Sequence, residues 1–203
     1  MEEIPEDADG IRVLVAGAPH AAEELRAMEL DDVLRRVLPG AYVPAGEPDG
    51  QVPRAAAAGA LAGRRLRGGA VGRLTAAWVY GCAPPPEELE ILVPRFHRSA
   101  MARDPLRVCV SEARLLPNEM RAVGGVWCTT PARTALDIAF HSPEEQAVLA
   151  LTRMVNAPGL GCPKGHLLRL VENVSRRPGK LRAQRLVRGL LTAAAERAPA
   201  GAA

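Results

Sequence analysis

Two residues of opposite charge, Arg133 and Asp137, sit four apart just behind a strand-to-helix junction in Gly125-Val-Trp-Cys-Thr-Thr-Pro-Ala-Arg-Thr-Ala-Leu-Asp-Ile-Ala139. Four residues is about one helical turn, so guanidinium and carboxylate share a face. Two uses fit such a pair: a local ion bridge that fixes how the helix leaves the sheet, or a contact to a ligand or partner. The other concentration of charge is cationic. Arg176, Arg177, Lys180, Arg182, Arg185 and Arg188 put six positive charges within 13 residues. That density suits phosphate or an acidic partner, with a solvated helix face as the alternative.

Side chains for bond-making chemistry do not converge. His20, His97, His141 and His166 are far apart in unlike contexts. The chain has no Gly-x-Ser-x-Gly, no His-Glu-x-x-His and no Gly-x-x-x-x-Gly-Lys-Ser/Thr, and Gly159-Leu-Gly-Cys-Pro-Lys164 reads as a turn. Glu87, Glu88 and Glu90 lie beside a strand at 89–93, where a metal-dependent nuclease would carry acids. No lysine follows Glu90 on that strand, and these residues read as solvated loop acids. Cys82, Cys109, Cys128 and Cys162 form no Cys-x-x-Cys pair and have no histidine placed to complete a metal site. They read as buried thiols of a cytoplasmic protein that uses no metal or cofactor and is not an enzyme.

Charge is distributed unevenly along the 203 residues. Residues 1–50 hold four Arg against twelve Asp and Glu, and residues 151–203 hold ten Lys and Arg against two Glu. A basic end can meet nucleic acid or an acidic partner, or the two ends can attract each other within the fold. Only two of the 26 basic residues are lysine, so arginine abundance reflects overall composition as much as function. No apolar run reaches the roughly 18 residues needed to span a bilayer, and no membrane association is expected.

The elements that must position these charges follow from periodicity and punctuation. Leu25, Met28, Val33 and Val37 recur at near-helical spacing and predict a helix over 21–38, stopped by Pro39-Gly40. A strand at 41–43 and a turn-rich linker at 46–50 close a first segment, residues 1–50. Residues 51–198 form a second unit, and 199–203 a loose tail. In that unit an Ala-rich helix is expected from Pro53 to Arg67, and Thr75 as the cap of a short helix over 76–80. Strands at 89–93, 106–110 and 126–129 make a small sheet. Thr130 is the expected N-cap and Pro131 the first helical position of the helix that carries Arg133, Thr134 and Asp137. Ser142-Pro-Glu-Glu145 has the pattern of a capping box that starts a helix reaching Asn156. Helices near 164–176 and from 180 to about 197 complete the chain. On the last, Ala183, Leu186, Val187, Leu190, Leu191 and Ala194 form an apolar stripe opposite Lys180, Arg182, Arg185 and Arg188. The fold class is α+β: a small mixed sheet packed by helices, with a C-terminal helical bundle.

In order along the chain, Gly40-Ala-Tyr-Val-Pro44, Thr75-Ala-Ala-Trp-Val-Tyr-Gly81, the strand from Leu89 to Pro94 and the stretch from Gly125 to Ala139 resemble the AbiEi-like type IV antitoxin family. That family is bacterial and common in actinobacteria. The similarity spans roughly 40–190, and Thr-x-Pro-x-Arg-Thr-x-x-Asp-x-Ala is its distinctive motif. The resemblance implies an antitoxin or transcriptional regulator: a winged helix that binds operator DNA, joined to a domain that counters a nucleotidyltransferase-like toxin. Residues 11–43 supply one good helix and one strand at net negative charge, a shortened, degenerate winged-helix-like segment. An acidic face forfeits the counterion release that supports DNA binding, so the basic C-terminal helices are the expected phosphate-facing surface. A protein-interaction module, or a remnant that has lost DNA binding, is the alternative. A C-terminal restriction-endonuclease-like domain, carried by some relatives, is not expected in a chain stopping at Ala203.

Overall fold

Glycines and prolines cut the chain into short elements, which assemble into two sheets and a group of packed helices. The computed structural model describes residues 11–17, 19–95, 105–175 and 177–195. Arg176, His97 and the 199–203 tail therefore lie outside the described residues.

The first sheet is antiparallel and holds β1 (Leu14–Val15), β2 (Leu34–Leu38) and β3 (Ala41–Pro44) in the order β1-β3-β2, with α1 (Ala22–Leu30) between β1 and β2 in sequence. Leu14, Leu25, Leu34 and Tyr42 close a small apolar cluster beneath it. The helix predicted over 21–38 is thus a helix and a strand. Asp32 takes a φ of 56° and Asp31-Asp32 turns the chain, an arrangement short acidic side chains tolerate by local hydrogen bonding. Beyond the turn, Leu34–Leu38 pairs antiparallel with β3, and Leu34 and Leu38 are buried from the strand.

The second sheet is mixed. Its order is β6 (Arg107–Glu112), β5 (Glu88–Val93), β4 (Ala70–Val71), β8 (Val126–Thr129) and β7 (Met120–Val123). β5 runs parallel to β6 and antiparallel to β4, while β8 runs parallel to β4 and antiparallel to β7. Gly124 and Gly125, with φ of 54° and 74°, make the two-residue β7–β8 turn, whose positive φ angles glycine adopts without steric cost. Two strands of this sheet, β4 and β7, are additions to the sequence reading. Glu88 and Glu90 lie on β5 rather than in a loop.

α2 (Gln51–Ala62) crosses the second sheet and also packs on β2 and β3, joining the two sheets. Its alanines make this close approach possible: a Cβ at Gly59 would come 2.6 Å from Val126 Cγ2. The helix ends at Ala62, and residues 63–66 tighten into a 3-10 turn. α3 (Arg73–Val79) begins earlier than expected, with Gly72 as N-cap. Thr75 is therefore inside the helix, and its Oγ1 accepts instead from the Glu90 amide at 2.9 Å.

The C-terminal helices α4 (Pro131–His141), α5 (Glu144–Asn156), α6 (Lys164–Asn173) and α7 (Lys180–Ala195) pack on one another, with α4 touching the other three. Ala135, Ile138, Ala139, Leu151, Met154, Leu167, Val171, Ala183 and Val187 belong to the same buried core as Leu89, Ile91 and Val71 of the sheet. The Ser142 capping box does not form. Pro143 occupies the N-cap of α5, and Ser142 Oγ is buried without a hydrogen-bond partner. Its backbone carbonyl is engaged by α7 instead, as described below. Among the described residues no helix is long and apolar enough to cross a membrane.

Candidate functional site

The β8–α4 junction is built from Thr129, Thr130 and Pro131. Thr130 caps α4 by accepting from the Arg133 amide, and Pro131 fills the first turn, where no N–H is needed. Thr134 Oγ1 folds back to within 2.6 Å of Thr129 Oγ1 and donates to the Thr129 carbonyl at 3.1 Å. The same carbonyl accepts from Tyr80 Oη at 2.6 Å. Burial, more than any neighbouring charge, pushes the Tyr80 phenol well above its ordinary pKa, so the hydroxyl remains a donor. The junction is thereby tied to α3.

One turn further on, Arg133 and Asp137 meet. Arg133 Nε donates to Asp137 Oδ2 at 2.7 Å, and its Nη1 donates to Glu119 Oε2 at 2.7 Å and to the Arg114 carbonyl at 3.0 Å. The side chains are 10% exposed at Arg133 and 2% at Asp137. Burial opposes the guanidinium charge, but Asp137 and Glu119 outweigh it and the pKa of Arg133 is raised. Glu119 also accepts from the Leu116 amide, and its own carbonyl accepts from the Thr130 amide. Every polar contact named here closes on the protein itself.

Asp137 has a second cation. Arg177, in the turn before α7, reaches its Oδ1 at 3.4 Å, donates to His141 Nε2 at 2.7 Å and stacks 4.7 Å from the centre of the Phe140 ring. Accepting at Nε2 requires a neutral His141 ring. Partial burial, followed by the charges of Arg73 and Arg177, holds the His141 pKa below the ordinary histidine value. A neighbouring group ties α3 to β5: Glu90 accepts from the Leu74 amide at 2.9 Å and from Arg73 Nη1 at 3.5 Å. Burial raises its pKa against those partners. A carboxylate committed in this way is not the solvated acid expected from sequence.

The basic residues of the C-terminal region divide into two groups. Arg182 joins Arg177 on the inner side, with Nη2 donating to the Ser142 carbonyl at 2.6 Å and Nη1 to the Ala139 carbonyl at 3.4 Å, thus satisfying the open C-terminal end of α4. Arg185 and Arg188 face outward, and Lys180 is half-buried beside the end of α6. Lys180 Nζ donates to the Glu172 carbonyl at 2.7 Å, Arg188 pairs with the Glu172 carboxylate at 3.2 Å, and Arg185 is exposed. Ala183, Leu186 and Val187 are buried on the same helix. The outward cations form one exposed strip on α7.

Sequence spacing could not find the remaining cationic feature. Arg35, Arg36, Arg54 and Arg153 come from three separate elements and line a common cleft. The four cysteines are free thiols, buried except for the half-buried Cys109, and burial pushes the Cys128 thiol up to about 12.

Comparison with known proteins places the chain. No curated protein matches it. Among solved structures, the crystal structure of the RV2827C protein from Mycobacterium tuberculosis is similar at 19% identity, covering 88% of this chain and 72% of that one, with a TM-score of 0.45. Residues 70–195 match the AbiEi antitoxin C-terminal domain. That stretch begins at β4, ends with α7 and contains the whole junction network, so more than half of the chain is this domain, and the protein belongs to the AbiEi antitoxin family.

Proposed function

We propose that this chain is an antitoxin that binds duplex DNA at its own promoter through the exposed cationic strip of α7 and counters a nucleotidyltransferase toxin. The observation that carries the DNA reading is the outward presentation of Arg185 and Arg188, with the half-buried Lys180 at the start of the same helix, on a helix whose opposite side is buried. A helix held rigidly by its apolar face presents its cations to phosphates with little ordering cost. Arg182 and Arg177 serve from behind, fixing α7 on α4. Arg133, Asp137 and Glu119 hold the junction.

The N-terminal segment supports a reduced winged-helix role. Its order β1-β3-β2, with a helix between β1 and β2, is that of the wing half of such a domain. α1 carries Glu23, Glu24 and Glu29 against Arg26, which disfavours it as the phosphate-facing helix.

The test has two arms. Fluorescence anisotropy on a labelled promoter duplex compares the wild type with K180Q/R185Q/R188Q, whose affinity is expected to fall at least about tenfold at low salt. Co-expression with a neighbouring nucleotidyltransferase-like gene is expected to restore growth. Equal duplex affinity in the variant removes α7 from the DNA reading, and unrelieved toxicity removes the toxin reading.

A further inference from the structure

A cleft of about 360 Å³ opens where β2, the first turn of α2, the loop after α3 and the helix α5 meet. That size is in the range of small-ligand sites. Arg35, Arg36, Arg54 and Arg153 line it, and Asp49 is the one carboxylate among the lining residues.

The guanidinium groups are held in different ways. Arg54 grips Asp49 through Nε at 3.0 Å and through Nη2, gives Nη1 to the Trp78 carbonyl at 3.0 Å and lies 5.8 Å from the centre of the Trp78 ring. Arg36 pairs with Glu29, which is not part of the lining, at 3.3 Å. Arg35 donates to the Glu47 carbonyl at 3.1 Å, and Arg153 on α5 is exposed. Arg153 forms no ion pair with an acid among the described residues, and Arg35 meets Asp49 through its field alone, which adds to the Arg54 hydrogen bonds in holding that carboxyl below its ordinary pKa. Arg35 and Arg36 are neighbours on a strand, where a regular pleat sends successive side chains to opposite faces. In β2, Arg36 faces Tyr42 and Leu38 faces Ala41, so Val37 is an inserted residue directly after the pair, and both arginines line the cleft.

Positive charges gathered around a concavity repel one another and focus their field into it, so the arrangement favours an anion of several charges. Planar guanidinium forks match the oxygens of phosphoryl groups two at a time. Arginines on different walls of a short cleft suit a compact chain of phosphates, whereas a duplex backbone would lie along a single wall. We propose that this cleft binds the phosphate chain of a small polyphosphate, whether inorganic triphosphate or the triphosphate of a nucleotide. It shares no residue with the α7 strip and does not depend on the DNA reading.

Isothermal titration of the full chain with sodium triphosphate, ATP, AMP and sodium sulfate tests the proposal. Triphosphate and ATP are expected to bind at least about tenfold more tightly than AMP or sulfate, the loss that follows removal of charge-assisted hydrogen bonds. ATP tighter than triphosphate assigns a nucleotide, and equal affinities assign the phosphate chain alone. Arg153→Gln changes an exposed residue, so the ligand-free melting temperature should hold while triphosphate affinity falls at least about fivefold. Arg153→Lys should keep part of it. The proposal is overturned if triphosphate binds no better than sulfate or if Arg153→Gln and Arg35→Gln both bind it like the wild type. It is also overturned if the same variants weaken only duplex DNA, which would make the cleft a backbone contact.

Discussion

Removing the carboxylate of Asp137 should destabilise the fold out of proportion to the size of the change. Asp137→Asn keeps the shape but leaves Arg133 and Arg177 facing a neutral group at a site where the aspartate side chain is 2% exposed. Breaking a buried pair by deleting one partner costs about 3–5 kcal/mol, because the remaining charge stays desolvated. Arg133 keeps Glu119 and the Arg114 carbonyl, and Arg177 is 31% exposed and can rehydrate, so the low end of about 3 kcal/mol applies. In urea, with a slope of about 2 kcal/mol per molar, the unfolding midpoint should move down by about 1.5 M. Arg133→Met and Asp137→Leu together should destabilise by less than the sum of the two single changes, since the second substitution removes the charge that the first leaves unpaired across the Arg133–Asp137 contact. A midpoint shift below about 0.3 M for Asp137→Asn, or strictly additive losses in the double variant, would refute the view of this cluster as a structural clamp.

Three further outcomes follow from the packing and the hydrogen bonds. Gly59→Ala should destabilise by about 1–2 kcal/mol in denaturant melts despite a better helix former, because the added methyl meets the stiff side chain of Val126; a gain in stability would mean that α2 can lift off the sheet. Thr75→Val should cost about 1–3 kcal/mol, since it strands the Glu90 amide inside the α3–β5 interface, and an unchanged melt would argue that water replaces the hydroxyl. His141 should titrate below about 6.5 by NMR, and because its folded pKa is depressed, its contribution is intact above that value and is lost as pH falls through the folded pKa. Titration above the ordinary value would contradict the bond from Arg177 to Nε2.

What could be read from the sequence depended on how local each signal was. Thr130-Pro131 marks a strand-to-helix junction because capping and a missing N–H act within one turn, and residues 133 and 137 fall on one face for the same reason. β4 escaped because Ala70-Val71 is too short to show alternation, although it joins β5 to β8 at the centre of the sheet. The 21–38 stretch misled because Val33 and Val37 continue a helical spacing that the turn at Asp31-Asp32 breaks. Ser142-Pro-Glu-Glu145 matched a capping pattern, yet the serine carbonyl serves Arg182 on α7 while its hydroxyl stays unpaired. The partners that complete the Asp137 cluster, Glu119 and Arg177, are distant in sequence and come together only through tertiary packing. The arginine cleft is invisible for the same reason, since its four cations lie scattered between positions 35 and 153.

The most direct measurement is the salt dependence of promoter-duplex binding for the wild type and K180Q/R185Q/R188Q. If α7 lies on phosphates, the slope of log affinity against log salt should become shallower by about 2.7 in the variant, roughly 0.9 for each lost contact. Parallel slopes, or a wild type that binds no duplex at low salt, would contradict the DNA-binding account of this antitoxin.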